Sequence, residues 1–223
     1  MKYIHLFSLL LCSCWGYAQS EDSVKTKRVK IAAYPAVAFS EETQWTIGSI
    51  GFVVVNKENT IEGFHRPTSI TPYAAITTRN QVLIKSDFDI YRSNGDNLRI
   101  ESRYFDFQDK YFGVGNDTSP KRYSTYDNKF VRLEGQYMRS KSAIFFAGLQ
   151  YDIQINSIQS QEDDDLLDME RPLGWQGGRN IGFGPGIQYD TRNSNVYPTK
   201  GQLLRVSVMT YNRYVGSEYN YFK

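Results

Sequence analysis

Cysteine is almost missing from the chain: there are two, Cys12 and Cys14, and both fall in an N-terminal stretch that reads as an export leader. The remainder of the chain therefore has no disulfide framework, and with His65 as its lone histidine it has no His/Cys set for zinc. Long apolar runs are absent too. No stretch approaches the ~18 residues a spanning helix needs, and the mean hydropathy is -0.51, so a polytopic helical membrane protein is excluded. Charge of one sign is equally scarce. Against 24 Asp+Glu stand 26 Lys+Arg with no basic block, which gives nucleic-acid binding no support.

What the chain has is aromatic surface. It contains 17 Tyr and 13 Phe, and 40% of its 223 residues are hydrophobic. That is enough apolar area to order one domain, or two small ones, and it excludes disorder.

Met1 to Gln19 has one basic residue (Lys2), an apolar core from Ile4 to Leu11 and the small-residue step Gly16-Tyr17-Ala18. This is the pattern of a secretory signal cut after Ala18. Leu11-Cys12-Ser13-Cys14 loosely resembles a lipoprotein box with Cys14 as the lipid-bearing residue, but Ala18 is the better cleavage site. The expected division is residues 1–18 as signal peptide, 19–29 as a short periplasmic segment and 30–223 as the folded body.

From Ile31 onward the sequence offers no convincing helix and alternates with period two. Val82, Ile84, Ser86, Phe88 and Ile90 share one face, opposite Lys85, Asp87 and Asp89. Val131, Leu133 and Tyr137 lie opposite Arg132, Glu134 and Gln136, and Leu204, Val206 and Val208 opposite Arg205 and Ser207. Strands are expected near 31–39, 44–55, 68–78, 81–92, 97–107, 124–139, 142–155, 180–190 and 201–212. Two architectures share this pattern. A soluble sandwich turns its apolar faces inward and uses strands of about 5 to 6 residues. A transmembrane barrel turns them out to lipid, needs about 9 to 11 residues per strand and sets aromatics at the interfaces. The long strands, and Tyr or Phe near many strand ends (Tyr34, Tyr91, Phe107, Tyr137, Tyr189), favour an antiparallel up-and-down barrel.

The connections agree. The two longest, 108–123 and 156–179, are the fifth and seventh and so lie on one side, opposite the tight turns at Ser93 to Asp96 and Ser140-Lys141. The connection from Asn56 to Pro67 is longer than that rule allows. At Ser93 to Gly95, a three-residue loop with Gly95 left-handed keeps like faces together and sets Asp89 opposite Arg99, whereas a two-residue turn mixes them. The charged face is then expected to be a wall laced with both signs, not a ring of one sign.

Candidate chemistry is thin. Gln161-Glu162-Asp163-Asp164-Asp165 with Asp168 and Glu170 lacks the alternating ligands and Gly of a calcium loop and reads as a solvated loop. Gly182, Gly184 and Gly186 precede no Lys-Ser/Thr and no helix, so they make no phosphate cradle; bare wall that a loop or plug approaches is the better reading. Asp190 and Arg192 are expected to form an ion pair that fixes a turn. No Gly-x-Ser-x-Gly occurs and His65 has no evident partner, so no enzyme, metal or cofactor is expected.

One segment carries a family likeness. Gly184-Pro185-Gly186-Ile187-Gln188-Tyr189-Asp190-Thr191-Arg192-Asn193-Ser194-Asn195-Val196-Tyr197-Pro198-Thr199-Lys200-Gly201 strongly resembles the bacterial surface-antigen barrels, the BamA/TamA superfamily of outer-membrane proteins. In that family a strand ends in an Asp-Thr-Arg-like step and crosses a Pro-Thr-Arg/Lys-Gly turn. Tyr111-Phe112-Gly113-Val114-Gly115-Asn116 resembles a second family feature, and Tyr34-Pro35 with the Ser40 to Gly48 hairpin resembles the family's barrel start. The likeness spans about Lys30 to Lys223. It implies structural roles for Gly113, Gly115, Asn116, Gly184, Gly186, Asp190, Thr191, Arg192, Pro198 and Gly201.

The resemblance also implies a sixteen-stranded barrel, usually behind periplasmic POTRA domains. Ser20 to Val29 is too short for such a domain, and Tyr219-Asn220-Tyr221-Phe222-Lys223 falls at the start of a tenth strand, so either the N-terminal part of a longer barrel or a smaller closed barrel is expected, the first being favoured. The implied activity is insertion or translocation of proteins or lipids at the outer membrane. The implied partners are outer-membrane lipid, client outer-membrane proteins or a periplasmic partner. Two other readings stay open: a passive channel or structural barrel, and the membrane anchor of a patatin-like phospholipase.

Overall fold

A computed structural model describes residues 28–56, 66–116, 118–119, 121–142, 144–161 and 166–223. The leader, most of segment 19–29, His65 and Glu162 to Asp165 lie outside the described residues.

Alternation dictates strands, and the described residues form one antiparallel sheet in chain order: β1 (Val29–Ser40), β2 (Gln44–Val55), β3 (Thr68–Thr77), β4 (Val82–Tyr91), β5 (Asn97–Tyr111), β6 (Ser124–Ser140), β7 (Phe145–Ser160), β8 (Gly177–Asp190), β9 (Leu203–Ser207), β10 (Thr210–Tyr211) and β11 (Tyr221–Phe222). β9 and β10 keep a single register along β8, Ser207 opposite Gly186 and Tyr211 opposite Gly182, and are two halves of one strand. The architecture is the expected all-β, antiparallel, up-and-down one. Among the described residues β1 and β11 are the two edges of the sheet, with no pairing between them.

The registers keep the two faces apart. One row runs Ile84–Tyr104–Val131–Ile155 across four strands, and another Leu98–Tyr137–Leu149–Pro185. These side chains face outward: Leu149 is 65% exposed, Leu204 61% and Val206 51%. The opposite face is enclosed, with Asn97 1% exposed and Gln188 and Asp190 fully buried. Within the outward face Ser86 and Ser102 stand opposite each other and share a 2.7 Å hydroxyl hydrogen bond, so neither polar group is left bare. At one end the apolar band stops at the row Asp106–Lys129–Ser157, where Lys129 pairs with Asp106 at 3.6 Å.

Three features differ from the sequence expectation. β5 and β7 run on to Tyr111 and Ser160, past the apolar band, because pairing with β6 continues after the hydrophobic signal has ended. A short helix, α1 (Leu166–Glu170), lies in the β7–β8 connection; five residues are too few for a periodic signal. It is anchored by buried Leu166 and Leu167 and by the Leu167 N–H donating to Ser124 Oγ at 3.0 Å. Charge on the inner face is also sorted by sign. Asp87, Glu101, Glu134 and Asp152 stand directly opposite one another across four strands, and Lys85, Arg103 and Arg132 form the next row. Like charges in register repel. Pairing along and diagonally across strands offsets this: Arg103 reaches Glu101 on its own strand and, at 3.6 Å, Glu134 on the next; Arg132 reaches Glu134 on its own strand at 2.6 Å and Asp152 on the next at 2.9 Å.

The β4–β5 turn has the three-residue form. Arg92 N–H donates to the Asp96 carbonyl, Gly95 N–H to that of Arg92, and Gly95 sits at φ 87°. A left-handed residue there is why glycine is needed. Asp96 ties this turn to the next one, accepting from the Ser140 N–H and the Tyr137 hydroxyl, both at 2.9 Å, and from the Asn94 amide at 3.0 Å. Burial pushes its carboxyl up, but these donors and the charge of Arg139 outweigh that and hold it below the usual carboxylate value. Asp96→Ala is expected to lower unfolding stability at pH 7 by about 1–3 kcal/mol. A depressed folded value means the contribution is complete above pH ~4 and fades as pH falls through the lower folded value. Unfolding followed by circular dichroism in detergent should therefore show a variant–parent gap at pH 7 that narrows in stronger acid.

Candidate functional site

The most enclosed chemistry lies at the end of the sheet that carries the β4–β5 and β6–β7 turns. β8 ends there in Asp190, whose carboxylate takes Arg192 side-on: Nε to Oδ1 at 2.9 Å and Nη2 to Oδ2 at 3.0 Å, with the Arg192 N–H on Oδ1 at 3.1 Å. Arg66, in the connection before β3, donates from Nη1 to Oδ2 at 2.7 Å and from Nη2 to the Asp190 carbonyl at 3.2 Å. The Arg66 guanidinium lies between the rings of Tyr91 and Phe146, 5.4 and 5.3 Å from their centroids. β3 and β8 are five strand spacings apart, roughly 24 Å along a flat sheet at about 4.8 Å each. The contact exists because the sheet curls and the buried Arg66, just before β3, lies on its inner side.

A hydrogen-bonded floor continues from this clasp. Asp89 accepts from Asn97 at 2.6 Å and from Asn195 at 3.2 Å, and Asn195 also donates to the Pro67 carbonyl. The Gln136 amide donates to Asn97 at 3.0 Å and to Gln188 at 3.3 Å; Arg205 donates to Gln188 at 2.8 Å. Gln136 and Gln188 are two strands apart and meet across β7 near Gly148, which has no side chain to separate them.

The residues named by the family likeness fall in the β8–β9 loop, within β8 and in the β5–β6 connection. Thr191 and Gly201 close the β8–β9 loop: Thr191 N–H donates to the Gln202 carbonyl, and Gly201, at φ 91°, lies against the Thr191 backbone. Asn193 Oδ1 accepts from the Thr199 and Lys200 N–H groups, bracketing Pro198. Gly184 and Gly186 face inward and buried, the first under the Val208 carbonyl of the next strand, the second under Met138 and Gln150. Gly182 lies under the Tyr211 ring, whose hydroxyl donates to Asp152 at 2.8 Å. Neighbouring side chains and backbone thus occupy the space beside these glycines. Gly113, Gly115 and Asn116 lie at the opposite end, in the β5–β6 connection, where Gly113 (φ 93°) sits against the Glu170 carboxylate of α1 and Tyr111 donates to Glu170 at 2.7 Å.

Sequence reasoning found Asp190 and Arg192 but not Arg66, Asn97, Gln136, Gln188 or Asn195. The available signals were the over-long 56–67 connection and uncharged polar residues at inward positions close to strand ends. Among the described residues no group of His, Cys, Asp and Glu is placed to hold a metal, and no helix is long and apolar enough to cross a membrane, which says nothing of strands. The floor can bind side chains to one another and close the interior. It presents no nucleophile with a base.

Comparisons with family models, with curated proteins and with solved structures give no match.

Asp190 is the shared acceptor of the buried Arg66 and the half-buried Arg192, so removing its charge weakens both contacts. Asp190→Asn is expected to cost about 3–5 kcal/mol. Arg66→Met leaves the Asp190–Arg192 pair intact and is expected to cost clearly less. Equilibrium unfolding of the two variants, read side by side in the same detergent, checks the order.

Proposed function

We propose that this chain forms the wall of an outer-membrane β-barrel of surface-antigen type, acting in the insertion or translocation of proteins or lipids at that membrane. The observation that carries the reading is the inverted placement of polarity: apolar residues of successive strands are exposed, and charged ones are enclosed. An apolar surface that extensive is unfavourable in water and is stabilised by hydrocarbon. Its height fits. From Phe145 to Ile155 the outward face of β7 is Phe, Ala, Leu, Tyr, Ile and Ile, roughly 34 Å along the strand at about 3.4 Å per residue, or roughly 26 Å high for a strand inclined by about 40°. Hydrocarbon bands of such barrels are about 25 Å tall.

The surface-antigen assignment is supported by the Asp190-Thr191-Arg192 step and the Pro198 to Gly201 turn, which the fold uses to seat Arg66 and close the β8–β9 loop. Insertion or translocation is preferred over a passive pore because Arg66, Asn97, Gln136 and Gln188 pack the interior at the turn end. A wide conduit needs that space open. On this reading the partners are outer-membrane lipid and a client or periplasmic protein, and no covalent chemistry is performed by these residues.

The test uses the full reading frame expressed in a bacterium with two membranes. The protein is expected to sediment with the outer membrane, resist extraction by carbonate and urea, and give no steady step conductance in planar bilayers while accelerating client insertion or lipid scrambling. Recovery in the soluble periplasmic fraction contradicts the membrane assignment. Stable conductance without either activity favours the passive channel.

A further inference from the structure

Above the polar floor the curled sheet leaves a half-open cavity of about 360 Å³, lined among others by Arg99, Glu101, Glu134, Asp152, Arg205 and Ser207. β5 and β9 are four strand spacings apart, roughly 19 Å along a flat sheet, and the curl brings Arg99 and Arg205 to one space. The three carboxylates are already committed: Glu101 to Arg103, Glu134 and Asp152 to Arg132. Two guanidiniums on this lining are held less closely. Arg99 comes no closer than 3.7 Å to a carboxylate oxygen, and Arg205 is held by the neutral Gln188 carbonyl at 2.8 Å. Like charges that line one partly enclosed space repel.

We infer that this cavity is a binding subsite for an oxyanion, clamped between Arg99 and Arg205, with Ser207 at its rim. A planar guanidinium presents paired donors that match the oxygens of a phosphate or carboxylate. A tetrahedral or planar anion placed between the two arginines relieves their repulsion and satisfies donors that the protein leaves to solvent. The cavity has room for more than a lone phosphate, so the oxyanion is either free or the charged end of a lipid headgroup. Arg99 makes a long ion pair with Glu101 Oε2, and the other oxygen of that carboxylate is taken by Arg103.

The test is calorimetric titration of the full chain, refolded in zwitterionic detergent, with inorganic phosphate and with glycerol 3-phosphate at constant ionic strength, chloride serving as control. Saturable binding that weakens about tenfold in Arg205→Gln, on loss of charge-assisted bonds, and measurably in Arg99→Gln is the expected result. Tighter binding of glycerol 3-phosphate points to a headgroup; equal binding points to the free anion. Because Arg205 also touches the floor, Arg99→Gln is the variant whose folding is secure, and circular dichroism establishes that both fold. Absence of binding beyond chloride, or affinity unchanged in both variants, overturns the proposal. The membrane assignment does not depend on the outcome, since it rests on the outward face.

Discussion

Side chains of a strand point alternately to two faces, and nothing in this sheet breaks that alternation. Through the middle of β4 to β7 the rows Ile84–Tyr104–Val131–Ile155 and Asp87–Glu101–Glu134–Asp152 keep to opposite faces. One slipped register would carry a strand's whole hydrophobic set to the wrong side. The devices that fix register are therefore the foundation of the fold. Gly95 makes the β4–β5 turn three residues long, and Asp96 holds that turn to the neighbouring one. Thr191 and Gly201 fix the β8–β9 loop.

Given the faces, the interior becomes an electrostatic problem. An enclosed charge is costly unless paired and hydrogen-bonded. The structure meets this in two layers. Midway along the strands, acidic and basic rows are stacked so that each shared arginine serves two carboxylates. At the turn end the network passes to uncharged amides, Asn97, Gln136 and Gln188, and closes on the Arg66–Asp190–Arg192 clasp. The clasp joins the start of β3 to the end of β8, so it holds the curl as well as the loops. Arg66, just before β3, is the residue that closes it.

Local features were readable from residue order. Period two located β1 to β9 within a few residues, and turn chemistry placed Asp89 opposite Arg99. Features that depend on distance in three dimensions were not readable. Arg66 and Asp190 are 124 positions apart, and no alternation pattern says which inward residues meet once a sheet curls. The separation of charge into rows was hidden for a similar reason. Along one strand Glu101 and Arg103 alternate in sign, and only cross-strand register shows that Glu101, Glu134 and Asp152 align. Helix α1 escaped because five residues held by two leucines leave no periodic trace.

The decisive question is what meets the outward face. Nitroxide labels on single cysteines at Leu133 and Val206, and at the inward positions Lys85 and Gln154, can be read in lipid bilayers against oxygen dissolved in hydrocarbon and a water-soluble nickel chelate. If hydrocarbon covers that face, labels at Leu133 and Val206 relax with oxygen and ignore nickel, while those at Lys85 and Gln154 show no oxygen preference. Labels at Leu133 and Val206 that are shielded from both reagents, or that respond to nickel, would contradict the membrane assignment.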